Sequence, residues 1–157
     1  MFFVTKRDEH WMGEALKEAR EAMKRGETPV GAVIERGGIE LARDSNRRRE
    51  RQDPTAHAEI GAIRKAARKT GSETLDGATL YVTVEPCAMC AGAVQWARID
   101  RVVYGIDEPK SGAVRSRYTL LADAKTGKAV PSVGGCRADE ALKLMQDFFA
   151  SLRASAR

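Results

Sequence analysis

The sequence predicts an α/β fold of three layers, a central mixed sheet of about five strands with helices on both faces. Three observations carry this expectation. Met12, Leu16, Ala19 and Met23 recur at helical spacing, so residues 8–25 read as an amphipathic helix. Pro29-Val30-Gly31-Ala32-Val33-Ile34 and residues 39–46 flank Gly37-Gly38, which reads as a buried strand, a hairpin turn and a return strand. Thr79-Leu80-Tyr81-Val82-Thr83-Val84 is a β-branched and aromatic run of strand length, and residues 101–106 read as a further strand.

The remaining elements fall between these. Gly26 ends the first helix. Thr55 is the expected N-cap of a helix running to about Lys69, with Ile60, Ile63 and Ala67 on its inner face and Gly71 closing it. Pro86 begins a turn into another helix over 88–98. Residues 107–128 are poorly patterned, a short strand is expected within 129–133, and a helix over 138–152 follows. The order α-β-β-α-β-α-β-(β)-α implies a mixed sheet covered on both sides, and one domain spanning 1–157.

Composition narrows the class. Of 157 residues, 43% are hydrophobic and 31% charged, the balance of a soluble globular protein. No run approaches the roughly 18 to 20 apolar residues that span a bilayer. Met1-Phe2-Phe3-Val4 turns charged at Lys6-Arg7-Asp8-Glu9, too soon for a signal-peptide core, so the cytoplasm is the expected compartment. In that reducing setting, Cys87 and Cys90, three positions apart, point to metal or redox chemistry rather than a structural disulfide. Cys136 reads as a small hydrophobe that needs no function. Between Arg36 and Lys69, ten Lys/Arg stand against five Asp/Glu, an excess equal to the net charge of the whole chain, +5. A basic segment of this kind suits a polyanionic partner, and equally a solvated loop around Arg47-Arg48-Arg49 and Arg51.

The chemistry-bearing residues stand at two expected helix starts, Pro54-Thr55-Ala56-His57-Ala58-Glu59 and Pro86-Cys87-Ala88-Met89-Cys90. On a helical first turn the i and i+3 sulfurs face the same way, and a helix N-terminus favours thiolate over thiol. Two thiolates and one neutral imidazole would give a zinc ion three ligands at zero net charge, with the fourth tetrahedral position open to water. His57 is the available imidazole, since the other histidine, His10, has no cysteine nearby; a fourth protein ligand would have to be Cys136 or a carboxylate. A zinc-bound water has its pKa lowered toward about 7. Glu59, two residues beyond His57, is then placed to take the water's proton and deliver it to a ring nitrogen and a leaving amine. A Glu in a helix first turn is also favourable to the dipole alone.

His57-Ala58-Glu59 with Pro86-Cys87-Ala88-Met89-Cys90 resembles the signature of the cytidine/deoxycytidylate deaminase superfamily. Within it, Asp53-Pro54-Thr55-Ala56-His57-Ala58-Glu59-Ile60, Pro29-Val30-Gly31-Ala32-Val33, Cys90-Ala91-Gly92-Ala93, Asn46-Arg47, Arg101-Val102-Val103-Tyr104-Gly105 and Phe148-Phe149 are similar to the bacterial tRNA adenosine deaminases, the TadA type. The likeness runs from about Trp11 to Phe149. It implies a cytidine deaminase-like fold and one zinc per subunit on His57, Cys87 and Cys90. It further implies hydroxide attack at C6 of an adenosine at the first anticodon position, giving inosine, with Glu59 as proton shuttle. It also implies Asn46 as a hydrogen-bonding partner of the flipped base, Pro29, Val30 and Ala58 around it, Phe148 against the flanking nucleotides, and a homodimer with the site close to the subunit interface.

The chain departs from that pattern in three places. Thr126-Gly127-Lys128-Ala129 replaces an Asn-His-Arg cluster, Val114-Arg115-Ser116 replaces a Gly-Ser, and Trp96 stands where close relatives carry a polar residue. Trp96 reads as a packing residue of a core or a dimer interface, although some free-base deaminases carry Trp near there. The functions to be separated are therefore three. The first is a tRNA deaminase gripping the anticodon loop through phosphate contacts from Arg47, Arg48, Arg51, Lys110 and Arg115. The second is a deaminase of a free nucleobase or nucleoside such as guanine or cytosine. The third is a zinc-stabilised RNA-binding subunit without catalysis.

Overall fold

A computed structural model describes residues 3–126 and 128–156. Met1 and Phe2 of the N-terminal run, and Gly127 of the stretch after Leu121, lie outside the described residues. The first helix, α1 (Lys6–Lys24), starts at Thr5: its side chain accepts from the Asp8 N–H at 3.1 Å while the Asp8 carboxylate accepts from the Thr5 N–H at 2.9 Å. This reciprocal pair satisfies two donors at the helix start. Gly26, at φ +79°, follows the helix in the left-handed conformation that glycine adopts without steric cost.

Strands β1 (Gly31–Arg36) and β2 (Ile39–Ser45) form the expected antiparallel hairpin, turning at Gly37 and Gly38, both with positive φ. The charged segment after it holds one turn of helix, α2 (Arg48–Arg51), which the sequence reading leaves as loop. The buried Glu27 carboxylate accepts from the Arg49 and Glu50 N–H groups at 3.1 and 3.0 Å and so holds that turn. Helix α3 (Ala58–Thr70), β3 (Thr79–Val84), α4 (Ala88–Trp96) and β4 (Arg101–Ile106) follow, then two short 3-10 turns, a two-residue β5 (Ser132–Val133) and α5 (Ala138–Ser155). The sheet order is β2-β1-β3-β4-β5, with β1 antiparallel to β2 and β3, and β3, β4 and β5 parallel.

Alternation along the central strands assigns the two faces. Ala32, Ile34, Leu80, Val82, Val102 and Tyr104 pack with Ala58, Ala62 and Ala66 of α3 and Ala91 and Val94 of α4. Val33, Tyr81 and Val103, on the opposite face, pack with Met12, Leu16 and Ala19 of α1 and Ala141 and Leu144 of α5. Both faces are covered, as the three-layer expectation requires. Close approach on the α1 side depends on Gly31, where a Cβ would lie 2.0 Å from the Ala15 carbonyl oxygen.

Two expectations for α3 are corrected. Thr55 is not its cap: the Thr55 N–H and hydroxyl both donate to Asp53 Oδ1, at 2.8 and 2.7 Å, in a turn that precedes the helix, and His57 holds the cap position. The inner face is not Ile60, Ile63 and Ala67, which are half-buried, but Ala58, Ala62 and Ala66. Small side chains let α3 lie close against the sheet, and the larger isoleucines flank that contact. No helix among the described residues is long and apolar enough to cross a membrane.

Candidate active site

Two helix starts meet at one place. His57 is the N-cap of α3 and Cys87 the N-cap of α4, and neither helix start has a side-chain cap hydrogen bond. His57 Nδ1 lies 3.7 Å from Cys87 Sγ and 3.5 Å from Cys90 Sγ. All three donor atoms fall within 4.8 Å of one another, the one such cluster of His, Cys, Asp or Glu donors among the described residues. A tetrahedral metal bound at the usual zinc–nitrogen and zinc–sulfur distances sets its N···S edges at ~3.6 Å, so the donor set fits that ion. Cys136 takes no part: it is buried in the α1–α5 core, and burial pushes its thiol up to about 12, which keeps it inert.

The electrostatics favour a charged sulfur at the helix start. The Cys87 thiol is held at about 4, first by the neighbouring Cys90 and then by His57, against its burial. Cys90 is pushed the other way by the adjacent sulfur and by burial. Glu59, in the first turn of α3, is only 4% exposed, and burial raises its carboxyl above the ordinary range.

These residues form one side of a pocket of about 210 Å³. Thr28, Val30 and Asn46 come from the ends of the β1–β2 hairpin, Arg48 from α2, Ala58 from α3 and Met145 from α5, while Val84, Glu85, Glu108 and Ser111 complete the lining. Asn46 is buried, and its side-chain oxygen accepts from the Arg48 N–H at 3.2 Å, which leaves the amide N–H groups for a ligand.

Among the residues expected from sequence, His57, Glu59, Cys87, Asn46, Val30, Ala58 and Arg48 line this pocket, and Cys90 is fully buried with its sulfur 3.5 Å from His57 Nδ1. Pro29 is buried and off its wall, and so is Phe148, 7% exposed on the inner side of α5 with its ring edge-on to Phe149. Met145, nearly one turn earlier on α5, occupies the wall instead. Arg47 is engaged with Asp44 and Glu50 at 2.9 and 2.8 Å, and Arg115 with Asp107 at 2.6 Å; Arg51 and Lys110 are exposed. Trp96 is 87% exposed, which overturns a place in the core of the chain.

Sequence reasoning missed Glu85, Glu108, Ser111, Thr28 and Met145. Of these only Glu85 left a signal, an acidic residue closing an apolar strand immediately before Pro86-Cys87. Its burial alone would raise the carboxyl. Hydrogen bonds from the Ser116 hydroxyl and from the Ser116, Arg115 and Glu108 N–H groups hold it instead at about 2.

The sequence profile of the MafB19-like deaminases matches residues 6–153. The chain belongs to that family. This deaminase is 45% identical over 144 residues to the tRNA-specific adenosine deaminase of Agrobacterium fabrum, spanning 92% of this chain and 95% of the relative. A solved structure from studies of A-to-I editing by tRNA:A34 deaminases superposes with a TM-score of 0.83 at 46% identity, over 86% of this chain and 98% of that one. The guanine deaminase of Bacillus subtilis matches with a TM-score of 0.61 at 42% identity, over 63% of this chain and 64% of that one. The deaminase fold is thus shared with enzymes acting on bases of different kinds.

Proposed function

We propose that the protein converts adenosine to inosine at the first anticodon position of a tRNA, with one zinc ion per subunit on His57, Cys87 and Cys90. The observation that carries the reading is the buried Glu59 carboxylate in the same helical turn as the His57 donor, both facing a pocket of single-base dimensions. Near-full-length similarity to a relative named as a tRNA-specific adenosine deaminase supports RNA over a free base as substrate. Bound zinc supplies a Lewis acid that makes water nucleophilic at neutral pH. Glu59 takes the proton of the attacking water as the new C6–O bond forms, and delivers it to ring nitrogen N1. It then takes the remaining proton from the oxygen added at C6 and carries it to the exocyclic nitrogen; the C6–N bond breaks, ammonia leaves, and the C6 carbonyl of inosine remains. The Asn46 amide orients the base, while Val30, Ala58 and Met145 enclose it and exclude water. Arg48 at the pocket, with Arg51 and Lys110 on the surface, supplies positive charge for flanking phosphates. A second copy covers the outward face of α4; the exposure of Met89 and Trp96 on this helix, which starts at Cys87 and carries Cys90, supports that reading.

The test incubates the zinc-loaded protein with an anticodon stem-loop bearing adenosine at the first anticodon position, beside free adenine, guanine, cytosine and their nucleosides. Inosine in the RNA is the expected result. Turnover of a free base or nucleoside with the RNA untouched would overturn the reading.

A further inference from the structure

Glu85 is 3% exposed and sits between the end of β3 and the Pro86-Cys87 turn. Its carboxylate accepts five hydrogen bonds, all from the single segment 108–116. The Glu108 N–H donates to Oε1 at 2.9 Å. The Val114, Arg115 and Ser116 N–H groups converge on Oε2 at 3.1, 2.8 and 2.9 Å, and the Ser116 hydroxyl closes a short bond to Oε1. Three consecutive backbone N–H groups around one oxygen form an anion nest, and here the anion is part of the protein.

The segment these bonds gather is poorly patterned in sequence and carries no strand or helix of its own over 108–116. It nevertheless crosses the metal-ligand turn. The Ala113 N–H donates to the Pro86 carbonyl at 2.8 Å, and Gly112 bridges Cys87. Gly112 has no room for a side chain, since a Cβ there would come within 2.4 Å of the Glu85 carboxylate. From this segment Glu108 and Ser111 contribute their side of the pocket wall.

We infer that Glu85 is a positioning residue for substrate: it holds segment 108–116 in the shape that presents Glu108 and Ser111 to the base. The inference rests on the proposed deaminase reading. Its energetic logic is that an unanchored wall must be ordered when substrate binds, and that cost falls on binding rather than on the chemical step.

Glu85→Gln is the discriminating variant. The Gln oxygen retains the nest of residues 114–116, and its NH2 then faces the Glu108 N–H, donor against donor. In the zinc-loaded variant KM for the stem-loop rises at least tenfold while kcat stays within threefold, and amide hydrogen exchange over 108–116 accelerates with that of β3 and β4 unchanged. Ser116→Ala removes one of the five bonds and moves both readouts in the same direction by a smaller amount, so the test survives if Glu85→Gln does not fold. Wild-type KM in Glu85→Gln, or unaltered exchange over 108–116, overturns the inference. A purely structural role would lower the melting temperature and leave KM in the folded, zinc-loaded fraction untouched, which also overturns it. Failure of the deaminase reading itself is seen separately, as a wild-type protein that turns over no RNA.

Discussion

His57 Nδ1 lies 3.5 Å from Cys90 Sγ although the two residues are thirty-three positions apart in the chain. One sits at the start of α3 and the other in the first turn of α4, so the distance reports how the two helices are set against the sheet. Because the donors belong to separate elements, metal binding and the packing of those elements are coupled. Removal of zinc by a chelator is therefore expected to abolish deamination and also to lower the melting temperature, and zinc addition to restore both. Metal analysis beside thermal unfolding checks this; full activity in metal-free protein would exclude the proposed mechanism.

Glu59→Gln keeps the shape of the side chain and removes its capacity to carry a proton. Ammonia release is expected to fall by about a thousandfold, with the zinc content of the purified protein unchanged. Retained activity on RNA would show that another group moves the protons.

Gly31→Ala tests the packing of α1 on β1. The added methyl group would meet the Ala15 carbonyl oxygen and the Ala19 nitrogen, at 2.0 and 2.5 Å in the present arrangement. Backbone atoms cannot step aside as a flexible side chain can, so the helix must shift. A loss of about 1–3 kcal/mol is expected, read as a lower urea midpoint.

Asp8 ties three elements together by accepting from Arg101 at 2.7 and 3.0 Å, from the Tyr81 hydroxyl at 3.1 Å and from the Thr5 N–H. Burial opposes its ionisation, but Arg101 and the Thr5 cap bring the carboxyl down to about 2 from the ordinary 3.8. A carboxyl lowered in the folded state stabilises above its unfolded pKa, and that contribution is lost as pH falls toward 2. Asp8→Asn is expected to cost about 2–3 kcal/mol at pH 7, with the gap to wild type narrowing below pH 4. Urea unfolding across that range would contradict the assignment if the gap stayed constant.

Trp96→Glu places a charge at the C-terminal end of the exposed face of α4. The expected result is a dimer weakened by about 2 kcal/mol or more, roughly thirtyfold in Kd, seen by sedimentation. A wild-type protein that sediments as a monomer at high concentration would remove the proposed interface.

Much of this was legible in residue order. The strand limits of Thr79–Val84 and Arg101–Ile106 follow from β-branched runs that face apolar layers on both sides. The donors His57, Cys87 and Cys90 follow from ligand chemistry at helix starts. The errors have a common physical origin in distant partners. Thr55 has the side chain of a cap, but a bond to Asp53 takes it first. The charged run at 48–51 folds into a turn of helix because Glu27, more than twenty residues earlier, accepts its N–H groups. Glu85 and segment 108–116 have no periodic signature at all, since their order comes from one buried carboxylate rather than from repeating apolar contacts.

The two uncapped helix starts have a consequence for anyone altering this protein. At positions 57 and 87 a serine would satisfy backbone donors that His57 and Cys87 leave without a side-chain acceptor, worth about 0.5–2 kcal/mol at each site. With zinc bound, the metal's own stabilisation outweighs that gain, but a laboratory selection for heat resistance in zinc-depleted medium would reward the loss of the metal ligands. Variants chosen that way would be sturdier and inert, so any screen on this scaffold has to select on turnover together with survival.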